Sequence, residues 1–277
     1  MIKDDLFQKI FDIYTSVDVP AEKQEIYNLN KITYYEADTK NKSISSNTTI
    51  YEVDLKSAFP SICTLMFGPE SDFVKKMNSF DDKLEKNKFI AISLKETEYL
   101  KQLNLISKMV ITSSVIANDP ESVILELKKD GILYMGKEFN FNNEIIKEYT
   151  NMGFTIHLNI YKKYIRYMKT SYFLDEDSNL IIKGIFKDRP KFLNDKTISI
   201  LNGDEIDMDE LHKYYSKLYW KIIQRNSLYE LFNKFYNCDG NKILNKYLQY
   251  QQIKTFNDCN ILPRNYLKLF IYPLLNK

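Results

Sequence analysis

Two short apolar runs flanking a tight turn constrain this chain more than any other stretch. Glu121-Ser122-Val123-Ile124-Leu125-Glu126-Leu127 leads into Lys128-Lys129-Asp130-Gly131 and continues as Ile132-Leu133-Tyr134-Met135. Apolar runs on either side of an Asp-Gly turn read as a β-hairpin. Upstream, no glycine lies between Gly68 and Gly131, and the prolines there are Pro69 and Pro120. Leu84, Phe89, Ile92, Leu100, Leu103, Ile106 and Met109 recur at roughly helical intervals in this stretch, so residues 71–117 are expected to form two or three helices.

The remaining pattern alternates in kind. Leu6, Ile10 and Ile13 place a helix over 3–15, 27–35 reads as extended, and the polar run Asp38 to Thr49 reads as a loop. Ile50 to Asp54 reads as a strand, and a helix opens at Ser57 and runs to about Phe67, with Pro60 tolerated in its first turn. A short helix is expected near 142–150 and extended segments at 153–160 and 163–174. A turn follows at Asp175 to Asn179, then a strand from Leu180 to Ile185, then helical patterning from Met208 onward. This order predicts an α+β fold, an antiparallel sheet covered by helices. The expected division is a core over 1–206, with a helical insertion at about 69–118, and a helical C-terminal subdomain over 207–277.

The chain has 277 residues and 44% hydrophobic content, enough for a substantial core. With 39 basic and 37 acidic residues, the net charge of +2 speaks against a dedicated nucleic-acid coat protein, so local charge must carry any claim about partners. Three cysteines at wide spacing exclude a disulfide framework, and with two histidines they give no zinc pattern. The N-terminus lacks a signal h-region and no apolar run reaches membrane-spanning length, so a reduced, cytoplasmic, soluble protein is expected. The abundance of Lys, Asn, Ile and Tyr suggests an AT-rich genome such as that of a virus, phage or low-GC bacterium.

The chemistry concentrates at Tyr51-Glu52-Val53-Asp54-Leu55-Lys56-Ser57-Ala58-Phe59-Pro60-Ser61-Ile62. An apolar strand delivers an aspartate to a turn that opens a helix. That geometry suits a divalent metal at Asp54, with a triphosphate over the turn and the helix N-terminus. It equally suits an aspartate that merely caps a helix. Farther on, Lys162, Lys163, Arg166, Lys183, Lys187, Arg189 and Lys191 are interleaved with Tyr161, Tyr164 and Tyr167. This fits a track for a nucleic-acid backbone, or a solvated sheet face. The acidic run Asp204-Glu205, Asp207, Asp209-Glu210 reads as favourable charge at a helix N-terminus.

The segment Asp54 to Ile62 resembles motif A of the family B DNA polymerases, Asp-x-x-Ser-Leu-Tyr-Pro-Ser-Ile, and a similar motif occurs in reverse transcriptases. The resemblance covers roughly residues 27–190. It implies a palm domain with nucleotidyl transfer to a primer 3′-hydroxyl, and a phage or viral setting. It makes Asp54 a metal-binding aspartate and gives Leu55, Ser57, Ala58 and Phe59 to the incoming nucleotide, Phe59 standing where the family has tyrosine. The hairpin takes the place of motif C, Asp-Thr-Asp-Ser. Asp130 then matches the second aspartate as catalytic and metal residue, with Lys128 at the first; in the alternative alignment Asp130 is the first aspartate and Ile132 stands at the second. The family's motif B sequence is absent, and Lys88, or Lys86, holds the nearest position. Lys169 and Tyr172, then Lys183 with Lys187 and Arg189, match the elements that hold the primer–template. The cofactor implied is Mg2+ or Mn2+, and the partners are a primer–template and a nucleoside triphosphate, with no membrane. The alternative implied by Lys128 is a catalytically inactive palm-derived accessory, nucleic-acid-binding or virion structural protein.

Overall fold

The computed structural model describes residues 2–24, 35–36, 49–128, 130–167, 170–184 and 191–205, with 207, 209, 210 and 213. The chain divides into two compact units: Met1–Asp38 with Thr48–Ile160, and Thr39–Asn47 with Tyr161–Lys277. The fold is α+β, and the strand pairs given below are antiparallel.

In the first unit, helix α1 (Ile2–Ser16) precedes strand β1 (Tyr35–Glu36) and strand β2 (Ile50–Leu55). Helix α2 (Ala58–Phe67) starts after Ser57, whose backbone is left-handed at φ 51°, and stops at Gly68, φ 81°. The helical block of the sequence forms α3 (Asp72–Asn78), α4 (Lys83–Ser93) and α5 (Glu98–Asn118). Each start has a local cause. Ser71 accepts the Val74 amide at 3.3 Å, and Asp82 accepts the amides of Leu84 and Glu85 at 2.7 and 3.1 Å, satisfying N–H groups that no helical carbonyl reaches. The hairpin forms β3 (Val123–Leu127) and β4 (Gly131–Met135), and α6 (Glu144–Asn151) is capped by Asn143. The sheet order in this unit is β1-β3-β4-β2, with β5 (Ile156–Tyr167) next to β2.

One face of this sheet is dry. Tyr51, Val53 and Leu55 of β2, Ile132 and Tyr134 of β4, and Ile124 and Leu127 of β3 share a core with Ile10, Ile62, Met66, Ile106, Val110 and Ile146 of the helices. Successive strand residues point to opposite faces, so Glu52 and Asp54 point away from this core. β3 would break the alternation without a bulge. Ile124 pairs with Tyr134 but Glu126 with Leu133, so the register shifts by one residue at Leu125. That extra residue keeps Ile124 and Leu127 in the core and turns Glu126 to the face of Glu52.

In the second unit, β5 pairs with β6 (Thr170–Asp175), β6 pairs with β7 (Leu180–Gly184), and α7 (Lys191–Asn202) follows. The extended segments expected at 153–160 and 163–174 are a single long strand and its hairpin partner. Helix α7 follows the basic run that ends at Lys191, in a stretch for which no element was expected. Ile165, Tyr172, Leu174, Ile200 and Leu201 form a small core. The expected helical tail over 207–277 falls almost entirely outside the described residues. No helix among the described residues is long and apolar enough to cross a membrane.

Candidate functional site

The strand that ends at Asp54 lies directly beside the Lys-Lys-Asp-Gly turn. Asp54 pairs across the sheet with Gly131, and the Leu55 amide donates to the Asp130 carbonyl at 2.9 Å. Gly131 is needed here for space. A Cβ at that position would stand 3.1 Å from both the Asp54 Cβ and the Val53 carbonyl oxygen, tighter than an ordinary contact. The backbone thus brings two acidic residues, 76 positions apart in sequence, to neighbouring places. The Asp54 side chain is 40% exposed, and its Oδ1 lies 3.7 Å from Nδ1 of His157, on β5.

The turn after Asp54 is built as its sequence suggests. Ser57 adopts the left-handed conformation that reverses the chain, and its carbonyl accepts the Ser61 amide at 3.0 Å, closing the first turn of α2. The Ser57 side chain makes no capping bond. Ala58 is buried in the core, and Phe59 is half-buried and packs against it. Asp54 does not act as the N-cap of α2, since that position belongs to Ser57.

Lys128 is engaged elsewhere than at the two aspartates. Its ammonium lies 3.0 Å from Glu52 Oε1 and 3.4 Å from Glu126 Oε2. These carboxylates are 5% and 2% exposed and come from different strands, each opposite Leu133 of β4. The Asn159 amide reaches the second Glu52 oxygen at 3.4 Å. Burial alone would lower the Lys128 pKa. The nearby carboxylates of Glu52 and Glu126 outweigh that, so the group is raised above its ordinary value and stays charged.

The other expected site residues are placed as follows. Lys88 is exposed on α4 in the first unit. Tyr172 and Lys183 belong to the second unit. Tyr172 is buried in its core, so its ring is packed among Ile165 and Leu174 rather than open to a stacking base. The Lys183 ammonium donates to the Tyr161 hydroxyl at 2.9 Å and sits 5.5 Å from the centres of both the Tyr161 and Phe173 rings, a cation–π seat. Lys169, Lys187 and Arg189 lie outside the described residues. Sequence reasoning missed Glu52, Glu126, His157 and Asn159. The available signal was Glu52 two residues before Asp54 on one strand, and a lone glutamate inside the apolar run of β3.

Polymerase chemistry uses two metal ions that carboxylates hold about 4 Å apart. Among the described residues, no group of three or more His, Cys, Asp or Glu side chains is arranged to hold a metal ion. The two further carboxylates on this sheet face, Glu52 and Glu126, are taken by Lys128.

No protein-family model matches the sequence, and no curated protein matches it. Among solved structures, the chain is similar to the family B DNA polymerase from the hyperthermophilic archaeon Pyrobaculum calidifontis, at 10% identity and a TM-score of 0.36. The overlap covers 64% of this chain and 33% of that one, so the chain spans about a third of that protein's length. A likeness of this degree leaves the functional reading to the residues themselves.

Proposed function

We propose that this chain is a palm-type, polymerase-like protein that binds nucleic acid and does not carry out two-metal nucleotidyl transfer. One observation carries the reading. The strand ending at Asp54 lies against the Lys-Lys-Asp-Gly turn, and on that face the Lys128 ammonium is locked to Glu52 and Glu126. The first half of this arrangement supports the motif A and motif C resemblance, because the two segments are neighbours. Loss of chemistry is supported instead by the sequence, in which Lys128 holds the first aspartate's position of motif C and motif B is absent. A second reading, an active nucleotidyltransferase using Asp54 and Asp130 with Mg2+ or Mn2+, is favoured by a single fact. Lys128 bonds Glu52 and Glu126, not those two aspartates.

Nucleic-acid binding would fall to the second unit and the basic stretch of β5, where Lys162 is exposed and Lys163 and Arg166 are half-exposed. Phosphate contacts of this kind release counterions and make affinity fall steeply with salt.

Two measurements test the reading. Primer extension with the full chain in Mg2+ or Mn2+ is expected to give no product, and extension that disappears in Asp54→Ala would establish the active reading instead. Fluorescence anisotropy with a labelled primer–template is expected to show salt-dependent binding, weakened in Lys162→Ala/Lys163→Ala. Absence of binding at low salt would remove the nucleic-acid half of the proposal.

A further inference from the structure

The C-terminal end of α7 carries a chemistry of its own. Asn202 is the last residue of that helix and Gly203 follows it, the one Asn-Gly pair in the sequence. An asparagine before glycine can cyclise on its own main chain, because no Cβ on the second residue shields the amide nitrogen from the side-chain carbonyl carbon. Both residues are exposed, and a Cβ placed on Gly203 would meet no heavy atom within 4 Å. Space is therefore no obstacle to the reaction, but hydrogen bonding is. The Gly203 amide donates to the Ile200 carbonyl at 3.0 Å, and the Asp204 amide donates to the Ser199 carbonyl at 2.9 Å. With Gly203 left-handed at φ 86°, this is the paired closure (the Schellman motif) that satisfies the last carbonyls of a helix. The nitrogen that would attack is thus held as a donor, and Asn202 is held helical. The cap is anchored in turn by Ile200 and Leu201, both buried in the small core with Ile165, Tyr172 and Leu174.

We propose that Asn202 is a site of self-modification gated by this cap. When the end of α7 opens, the Gly203 nitrogen gives its proton to solvent base and attacks Cγ of Asn202. A C–N bond forms, the Cγ–Nδ2 bond breaks, and the side-chain nitrogen leaves as ammonia. Water then opens the succinimide ring at either carbonyl and leaves aspartate or isoaspartate at position 202, with no change of oxidation state. The product cannot restore the cap on equal terms. A carboxylate now stands at the negative end of the α7 dipole, beside Asp204 and Glu205. In isoaspartate the main chain also gains a methylene between 202 and 203, which puts the two cap bonds out of step. Opening of the helix end is thereby converted into a one-way release. The modification involves neither the hairpin nor the basic stretch of β5, so it is independent of nucleic-acid binding.

The test ages the full chain at mildly alkaline pH, folded and in guanidinium chloride. It follows the tryptic peptide Thr197–Lys213, in which Asn202 is the sole asparagine. Mass spectrometry reads the exchange of amide for acid, and an isoaspartyl methyltransferase reads the isomer. Asn202 is expected to convert in the folded chain, about tenfold or more slowly than in guanidinium. Hydrogen exchange of the Gly203 amide should be slowed by folding to the same extent, because both reactions need the same opening. Leu201→Ala, which loosens the anchor, should speed conversion several-fold, and Asn202→Gln should stop it. Asn202→Asp should exchange its Gly203 and Asp204 amides faster than wild type. An unconverted folded chain beside a fully converted denatured one overturns the proposal, and so do equal rates in the two. Unchanged exchange in Asn202→Asp overturns the one-way release. If Leu201→Ala does not fold, the wild type decides: equal slowing of conversion and of Gly203 exchange supports the gate, and unequal slowing overturns it.

Discussion

The β3–β4 hairpin is fastened at both ends by buried carboxylates, but the two ends satisfy them differently. At the turn end, Glu52 and Glu126 face a cation, Lys128. At the open end, Asp119 is 2% exposed and accepts backbone amides, that of Lys137 at 2.8 Å and that of Glu121 at 3.2 Å. Backbone N–H groups are neutral and fixed by the fold, so the open end depends on shape. The turn end depends on a formal charge carried by one flexible side chain. The hairpin therefore has one end that geometry can break and another that charge can break.

The largest effect is expected from removing the charge. Lys128→Met keeps most of the side-chain volume and leaves two buried carboxylates facing each other. Breaking a buried ion pair by deleting one partner costs about 3–5 kcal/mol. Since the Lys128 side chain is 30% exposed, the lower end of that range applies. Urea unfolding should show the loss. Adding Glu52→Gln and Glu126→Gln should return part of it, because two neighbouring buried carboxylates repel once the ammonium is gone. If Lys128→Met were as stable as wild type, the turn end would not depend on charge and the contrast would fall.

A smaller effect is expected at the open end. A Cβ at Gly136 would stand 2.2 Å from Asp119 Oδ2 and 3.3 Å from Ser122. The same Oδ2 accepts the Lys137 amide, so an alanine would push the carboxylate off its donor. Leaving a buried amide and a carboxylate oxygen without partners costs about 1–3 kcal/mol. Gly136→Ala should lower stability by that order in the same urea experiment. Hydrogen exchange should locate the loss at the Lys137 amide and spare the Lys128 turn. Equal loosening of both ends would mean that the hairpin responds as a unit and that the two anchoring modes are not separate.

Much of this architecture was legible in the sequence. The hairpin announced itself through its Asp-Gly turn and flanking apolar runs, and the helices between Gly68 and Pro120 through spacing and the absence of breakers. The strand before Asp54 and the turn at Ser57 were legible because one short segment contains strand, reversal and helix start. The pairing of Lys128 with Glu52 and Glu126 was not legible, for a definite reason. Strict alternation from Ile124 assigns Glu126 to the core face, and only the bulge at Leu125 turns it toward Glu52. A one-residue shift in register has no signature in a run such as Ile-Leu-Glu-Leu. Lys128 stood out as a positive charge in an aspartate's position, but its partners depend on that shift. Tyr172 shows the converse failure. The resemblance gave it to the primer–template through a Lys-x-x-Tyr element, whereas its strand phase puts it in the small core with Ile165 and Leu174.

The smallest expected effect is also the one that separates the two ends without changing which residues surround them. Lys128 is raised above its ordinary value in the folded state, burial lowering it but the charges of Glu52 and Glu126 prevailing. A group whose folded pKa is raised adds stability that is complete below its unfolded pKa, about 10.4 for lysine, and is lost as pH climbs through the folded value. The turn end should therefore hold its strength through neutral pH and yield only on the far alkaline side. The amides that hold Asp119 carry no titrating proton in this range, and the buried Tyr134 at that end, whose pKa burial raises, is common to wild type and variant and drops out of their difference. Stability of the wild type and of Lys128→Met, measured from pH 7 upward, should then converge only at strongly alkaline pH, where the wild type loses the ammonium that the variant already lacks. Curves that stay parallel to the highest pH tested would mean that Lys128 acts through its alkyl chain, and the turn end would be governed by shape like the open one.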